Sequence, residues 1–182
     1  MPSFTKNAIV ESFLRIVGKK PLDKITVRDV VDDCGINRNT FYYYFRDIYA
    51  VLEEICHEVA EKLPENETLS ATLTAFFRLL YDFAADHPRT VRSLILSLGH
   101  DGLERYFAAD MDRVIFDCLL RESGERPCSR DYLRRLTAFV RHAVFGICTD
   151  ALRNDRREDP EAMLCDLSRI LDTLAASLHE KH

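Results

Sequence analysis

Residues Thr26 to Phe45 read TVRDVVDDCGINRNTFYYYF, and the reading of this stretch decides the fold. Thr26 stands where a helix N-cap belongs, with Asp29 at the third helical position as an acidic variant of the capping box. Val27, Val30 and Val31 follow at helical spacing and supply a buried face. Gly35 after Cys34 fits a left-handed C-cap, and Ile36 is the apolar anchor of the turn. Asn37 caps a second short helix that opens on Arg38-Asn39-Thr40 and runs into Phe41-Tyr42-Tyr43-Tyr44-Phe45. Three consecutive tyrosines are costly to bury together and odd to leave exposed without a use. The pattern predicts a helix-turn-helix. A short turn containing glycine sets two helices at a steep angle, so the second can enter a DNA major groove while the first braces it.

Helical spacing divides the second helix. Ile36, Phe41 and Phe45 share one face and belong to the core, which leaves Arg38, Asn39, Tyr42 and Tyr43 outward. Arginine pairs bidentately with guanine, asparagine with adenine, and a threonine methyl touches thymine. Tyrosine hydroxyls donate to phosphate oxygens, which fixes register without reading sequence. The helix N-termini at Thr26 and Asp47 offer further backbone N–H groups to phosphates.

Charge around this stretch suits such a partner. The chain of 182 residues has a net charge of −5, which argues against indiscriminate coating of nucleic acid. Residues 1–28 nevertheless carry Lys6, Arg15, Lys19, Lys20, Lys24 and Arg28 against Glu11 and Asp23 alone, and Cys34 to Arg46 holds two arginines and no acid. Screening acts within about 8–10 Å, so this local field outweighs the net charge at a phosphate.

Other chemistries find little support. No run of about 18 apolar residues exists, so no membrane span is expected. The first residues lack the apolar core of a secretory signal, and a cytoplasmic location is expected. Six scattered cysteines offer no C-x-x-C pair and read as reduced, buried apolar residues. No metal site or cofactor is expected: His87, His100 and His142 are isolated, and His179 and His182 sit at the chain end. Nucleophile elbow, P-loop and dinucleotide fingerprints are missing, so an enzyme is not expected.

The remainder is helical text. Phe4, Ala8, Ile9, Phe13, Ile16 and Val17 form the apolar face of a first helix, and Asp47 caps a fourth helix that buries Tyr49, Leu52, Ile55, Cys56, Val59 and Leu63. Pro64-Glu65-Asn66-Glu67 is the clearest break in composition, which divides a DNA-binding domain at 1–63 from a helical regulatory and dimerisation domain at 64–182. Beyond it come helices capped by Thr68 and Ser129, a break at Gly99, and turns at Gly124 and Pro127. A charged joint after Asn154 leads to a last helix. The fold class is all-α, with about nine helices. Leu136, Phe139, Val140, Ala143, Gly146, Ile147 and Ala151 form a mixed large and small stripe suited to a dimer interface, or else monomeric core. A ligand pocket, if the chain has one, is lined by Phe76, Phe77, Leu80, Phe107, Met111, Phe139 and Phe145, although plain packing explains the same spacing.

Residues 26–45, with Leu52 after them, resemble the DNA-binding motif of the tetracycline-repressor (TetR/AcrR) family of transcriptional regulators. That pattern is a Thr-initiated helix, an Ala- or Cys-Gly-Val/Ile turn, then Thr-Leu/Phe-Tyr-x-His/Tyr-Phe. Here it is carried by Thr26, Arg28, Gly35, Ile36, Thr40, Phe41, Tyr42, Tyr44 and Phe45. The resemblance covers about residues 4–63. It implies a homodimer held by a four-helix bundle from the last two helices of each chain, and an effector that shifts affinity for an operator. It also implies DNA-facing positions for Thr26, Arg28, Asn37, Arg38, Asn39, Thr40, Tyr42, Tyr43 and Tyr44. Repression is the commoner role in such proteins; activation, or a regulatory half that binds a protein coregulator instead of a small molecule, is the alternative. One position departs from the pattern. Where the family often has a lysine on phosphate, this chain has Ile48, so either Arg46 substitutes or one contact is lost.

Overall fold

The computed structural model describes residues 4–124, 128–153 and 160–177. Among them are eight α-helices, one short 3-10 turn and no strand. In chain order they are α1 (Phe4–Val17), the 3-10 turn (Leu22–Lys24), α2 (Val27–Cys34), α3 (Arg38–Tyr44), α4 (Ile48–Glu61), α5 (Leu69–Asp86), α6 (Pro88–Glu122), α7 (Arg130–Arg153) and α8 (Pro160–Ser177). The chain forms two compact units, one of Met1–Glu58 with Phe83–Tyr106, the other of Val59–Asp82 with Phe107–His182.

In the first unit the helices begin and end where the sequence supplies the caps. Thr26 Oγ1 accepts from the Asp29 N–H at 3.3 Å, and the Thr26 N–H donates to Asp29 Oδ2 at 2.7 Å, completing the capping box of α2. Gly35 closes α2 with φ 70°, a left-handed conformation that L side chains avoid. Asn37 Oδ1 accepts from the Thr40 N–H at 2.8 Å to start α3, and Asp47 Oδ1 accepts from the Ala50 N–H at 2.8 Å to start α4. Beneath these ends lie Ile9, Phe13, Val17, Val30, Phe41 and Val51, all buried. Ser12, wholly buried on α1, donates to the Val30 carbonyl at 3.2 Å and ties α1 to α2. Arg15 adds an ion pair to Asp33 at 2.7 Å.

The first part of α6 is fastened to the end of α1 and to the turn that follows it by three hydroxyls at one-face spacing. Thr90 Oγ1 donates to the Leu14 carbonyl at 3.1 Å, Ser93 Oγ to the Lys20 carbonyl at 3.5 Å, and Ser97 Oγ accepts from the Leu22 N–H at 3.2 Å. Thr90 thus adds a second donor to a carbonyl that already accepts from the Gly18 N–H, Ser93 donates to the turn after α1, and Ser97 accepts from the start of the 3-10 turn. Gly99 then breaks α6 with φ 68° and ψ −173°, a region open to glycine alone, where the sequence places a helix end.

Two apolar positions depart from the pattern. Phe4, expected on the inner face of α1, is 91% exposed because it is the first residue of the helix. Tyr49, expected inside α4, stays 43% exposed in the first turn, with Leu52 and Cys56 burying that helix instead.

The second unit is built on an aromatic cluster. Phe76 lies 5.6 Å from Phe107 and 5.7 Å from Phe145, and Phe107 lies 5.5 Å from Phe145, centroid to centroid. Edge-to-face and tilted contacts at such distances are favourable for ring quadrupoles. Met111, Ile115, Leu119 and Leu133 fill the surrounding interior. Thr68 and Ser129 cap α5 and α7 through the Ala71 and Tyr132 N–H groups, at 3.2 and 3.1 Å. Three of the six cysteines, Cys56, Cys118 and Cys148, are buried as read from the sequence; Cys34 and Cys128 are half-buried and Cys165 is exposed. Burial pushes the Cys148 thiol far up. The turn at Pro127, the joint from Asp155 to Asp159, Ala151, the side chains of Met163, Leu164 and Leu174, Leu178 and the two terminal histidines lie outside the described residues and side chains.

The Asp29 carboxyl falls from the ordinary 3.8 to about 2, first through its hydrogen bond from Lys20 and then through those from Thr26. A folded value below the unfolded one makes this carboxylate stabilising above about pH 4, a contribution lost as pH falls toward the folded value. Asp29→Asn should therefore melt below the wild type at pH 7, and the gap should close as thermal scans are taken from pH 4 toward pH 2. In the other unit, Phe76→Ala should cost about 3–5 kcal/mol in urea denaturation, the range for emptying a buried aromatic site.

Candidate nucleic-acid interface

The recognition surface grows out of how α3 is held. Phe41 is wholly buried and Phe45 nearly so, while Ile36 is half-buried. This orientation leaves Arg38, Asn39, Tyr42 and Tyr43 exposed, Tyr43 by 82%. Tyr42 stands edge-on to Phe41 at 5.7 Å, and Tyr43 edge-on to Tyr44 at 4.9 Å, so the rings brace one another while two of them face solvent. Tyr44 is half-buried.

The ten sequence-assigned positions fall into distinct groups. Asn37 and Thr40 spend their polar atoms on each other: Asn37 Oδ1 takes both the Thr40 N–H at 2.8 Å and its hydroxyl at 3.1 Å. A bidentate adenine contact needs both the oxygen and the amide of an asparagine. Asn39 is therefore better suited to it than Asn37, as no described hydrogen bond engages its side chain. Thr26 is likewise engaged, donating its hydroxyl to Asp29 Oδ2 at 2.6 Å. Asp29 is in turn held by Lys20 at 2.6 Å. Arg28 makes a loose pair with Asp32 at 3.4 Å, one turn on. Arg46 is engaged at closer range, by both oxygens of Glu53 at 2.8 and 3.0 Å. Ile48 is buried in the first turn of α4, so the position where a phosphate-binding lysine was looked for is core.

Sequence reading missed the groups behind this surface. Ser12, Thr90, Ser93 and Ser97 position α1 against α2 and α6, yet a serine inside a helical pattern carries no mark of its partner. The Arg15–Asp33 pair, whose guanidinium together with Ser12 holds the Asp33 carboxyl below its ordinary value, joins residues 18 positions apart.

In the regulatory half, six of the seven aromatic and aliphatic candidates point inward. Phe76, Phe77, Phe107, Met111 and Phe145 are buried and Leu80 half-buried. Phe139 does not join them. It is 63% exposed, since six residues of helix turn it well away from Phe145. An open groove of about 730 Å³ lies on the opposite side of α5, lined by Lys62, Ser70, Thr74, Arg78, Ser168 and Asp172 among others, none of them in the expected set. Among the described residues no helix is long and apolar enough to cross a membrane, and no cluster of His, Cys, Asp or Glu could hold a metal ion.

A helix-turn-helix with an exposed Arg-Asn-Tyr-Tyr face, followed by a helical unit, defines a DNA-binding regulator. Residues 9–55 match the family model described as bacterial regulatory proteins, tetR family, and residues 71–173 match one described as transcriptional regulator C-terminal region. The chain belongs to the TetR family of transcriptional regulators, and it is not an enzyme. A search of the curated proteins gave no match. Among solved structures, the fold is similar to the dihydroxyacetone kinase operon activator DhaS, with a TM-score of 0.68 at 15% identity, covering 95% of this chain and 97% of that one. It is also similar to the fatty acid degradation regulator FadR from Bacillus halodurans, with a TM-score of 0.65 at 14% identity over 94% and 96% of the two chains. NalD, the secondary repressor of the MexAB-OprM efflux pump in Pseudomonas aeruginosa, follows with 0.59 at 17% identity over 93% and 94%. At these identities the likeness is one of fold.

Removal of a base-reading side chain costs about 1–3 kcal/mol, roughly 5- to 150-fold in affinity. Arg38→Ala should weaken binding by that amount to a duplex selected by the wild-type chain from a random-sequence pool, with the melting temperature unchanged because Arg38 is exposed. Equal affinity of the two proteins in fluorescence anisotropy would remove Arg38 from the interface.

Proposed function

We propose that this chain acts in the cytoplasm as a homodimer that binds an operator and represses transcription, and that an effector taken up by the regulatory half lowers its affinity for DNA. The observation that carries the reading is the exposed face of α3, where Arg38, Asn39, Tyr42 and Tyr43 stand on a buried Phe41 and Phe45. Base contacts are assigned to Arg38 and Asn39. Backbone contacts are assigned to Tyr42, Tyr43, Tyr44, Thr26, Arg28 and Arg46, with Asn37 and Thr40 presenting the start of the helix. A single short helix reads few base pairs, and two-fold pairing of half-sites multiplies both affinity and selectivity.

Pairing is supported by the outer side of α7. Leu133, Thr137, Val140, Val144 and Cys148 are buried in their own unit. Leu136, Phe139, Ala143, Gly146 and Ile147 are exposed or half-exposed, as is Ile170 on α8. An apolar stripe left outside, mixing bulky and small side chains, suits a helix-packed interface with a second copy. For the effector, the cluster of Phe76, Phe107 and Phe145 with Phe77, Leu80 and Met111 favours an apolar molecule that enters by separating rings now in contact.

That closed cluster also favours a second reading, in which the regulatory half binds a protein coregulator instead of a small molecule. Activation is the other alternative, and a reporter driven by the selected operator decides it: deleting the gene raises output if the chain represses and lowers it if the chain activates. Sedimentation of the wild type should give a dimer at micromolar concentration. Phe139→Glu should give a folded monomer with operator affinity reduced at least tenfold; a stable wild-type monomer that still binds its site fully would sink the dimer.

A further inference from the structure

Between α3 and α4 the chain places one cation, and it is already occupied. Arg46 follows the C-cap residue Phe45, and its Nη2 donates to Glu53 Oε1 at 2.8 Å and Oε2 at 3.0 Å. Its Nε lies 3.5 Å from Asp47. The two acids have different duties. Asp47 caps α4 through the Ala50 N–H, whereas Glu53 lies within α4, away from either end. The next residue, Glu54, is paired with Lys6 of α1. Glu53 makes its described ion pair with Arg46 alone among these groups.

A carboxylate presents a guanidinium with the same kind of paired anionic oxygens as a phosphodiester, so the two compete for one fork of donors. The pair is exposed, Arg46 by 71% and Glu53 by 47% of their side chains, so water and ions reach it and exchange is easy. We propose that Glu53 is a built-in counter-ion that withholds Arg46 from the operator backbone, so that DNA binding at this joint is an exchange of carboxylate for phosphodiester. The proposal rests on the DNA-binding reading of α3 and gives Glu53, whose carboxylate has no proton to donate to a phosphate, control over one phosphate contact. Ile48 is buried, and the cation nearest to it in sequence stands two residues earlier, at Arg46, with its counter-ion in place.

The test is Glu53→Gln, which keeps size and removes charge. Binding to a duplex selected by the wild-type chain is followed by anisotropy across about 50–300 mM salt. The expected result is a two- to fivefold gain in affinity, with the slope of log K against log salt steeper by up to about 0.9 per half-site, because in the wild type the freed Glu53 carboxylate takes back a cation as the phosphate releases one. Adding Arg46→Ala to Glu53→Gln should erase both changes. Unaltered affinity and slope in Glu53→Gln overturn the proposal, as does a gain that survives the loss of Arg46. If the wild-type chain selects no duplex and shows no salt-sensitive binding, the DNA-binding reading falls, and the proposal with it.

Discussion

The burial of Phe41 is the contact on which the exposed face of α3 depends. α3 has seven residues and α2 eight, lengths at which an isolated helix in water is unstable because nucleation outweighs so few hydrogen bonds. What holds them is tertiary. Phe41, with no exposed surface, anchors α3 to the interior shared with Phe13, Val30 and Val51, and Phe45 finishes the same side. The caps at Thr26, Gly35, Asn37 and Asp47 then satisfy helix ends that would otherwise lie bare. A helix fixed on one side by a rigid ring must present the other, and that other side is Arg38, Asn39, Tyr42 and Tyr43.

A DNA-binding regulator with a net charge of −5 needs its cations managed. Here many of them are held by acids close at hand: Lys20 on Asp29, Arg15 on Asp33, Arg28 on Asp32 and Arg46 on Glu53. Pairs near the ends of helices also fix geometry, as the lowered carboxyls of Asp29 and Asp33 attest. Arg38, in contrast, is exposed and has no described ion pair. Under the proposed reading, restraint at the edges and an unengaged cation at the centre favour selection by base contacts over indiscriminate adhesion to backbone.

The two sides of α7 express a similar division in the regulatory half. Its inner side completes a core in which three phenylalanines from α5, α6 and α7 touch one another, and its outer side keeps Phe139 in solvent. The same helix thus serves packing within the unit and offers a surface beyond it. Helix periodicity makes both sides apolar in the sequence, and only the neighbours decide which of them is interior.

The sequence by itself determined most features that are local. Caps, the left-handed glycine, helix spans and the division of α3 into an inner and an outer face follow from residue type and 3.6-residue spacing, since their partners lie within four or five positions. The tertiary structure decided what depends on distant residues. It placed Phe139 outside and Phe145 inside, turned Tyr49 to solvent, and opened a groove on the side of α5 away from the aromatic cluster. It joined Thr90, Ser93 and Ser97 to the end of α1 and the turn after it, more than 70 positions away. It also gave Arg46 a partner in Glu53, seven residues on, across the bend between two helices. Periodicity fixes the direction of a side chain relative to its own helix axis, and only packing supplies what stands opposite.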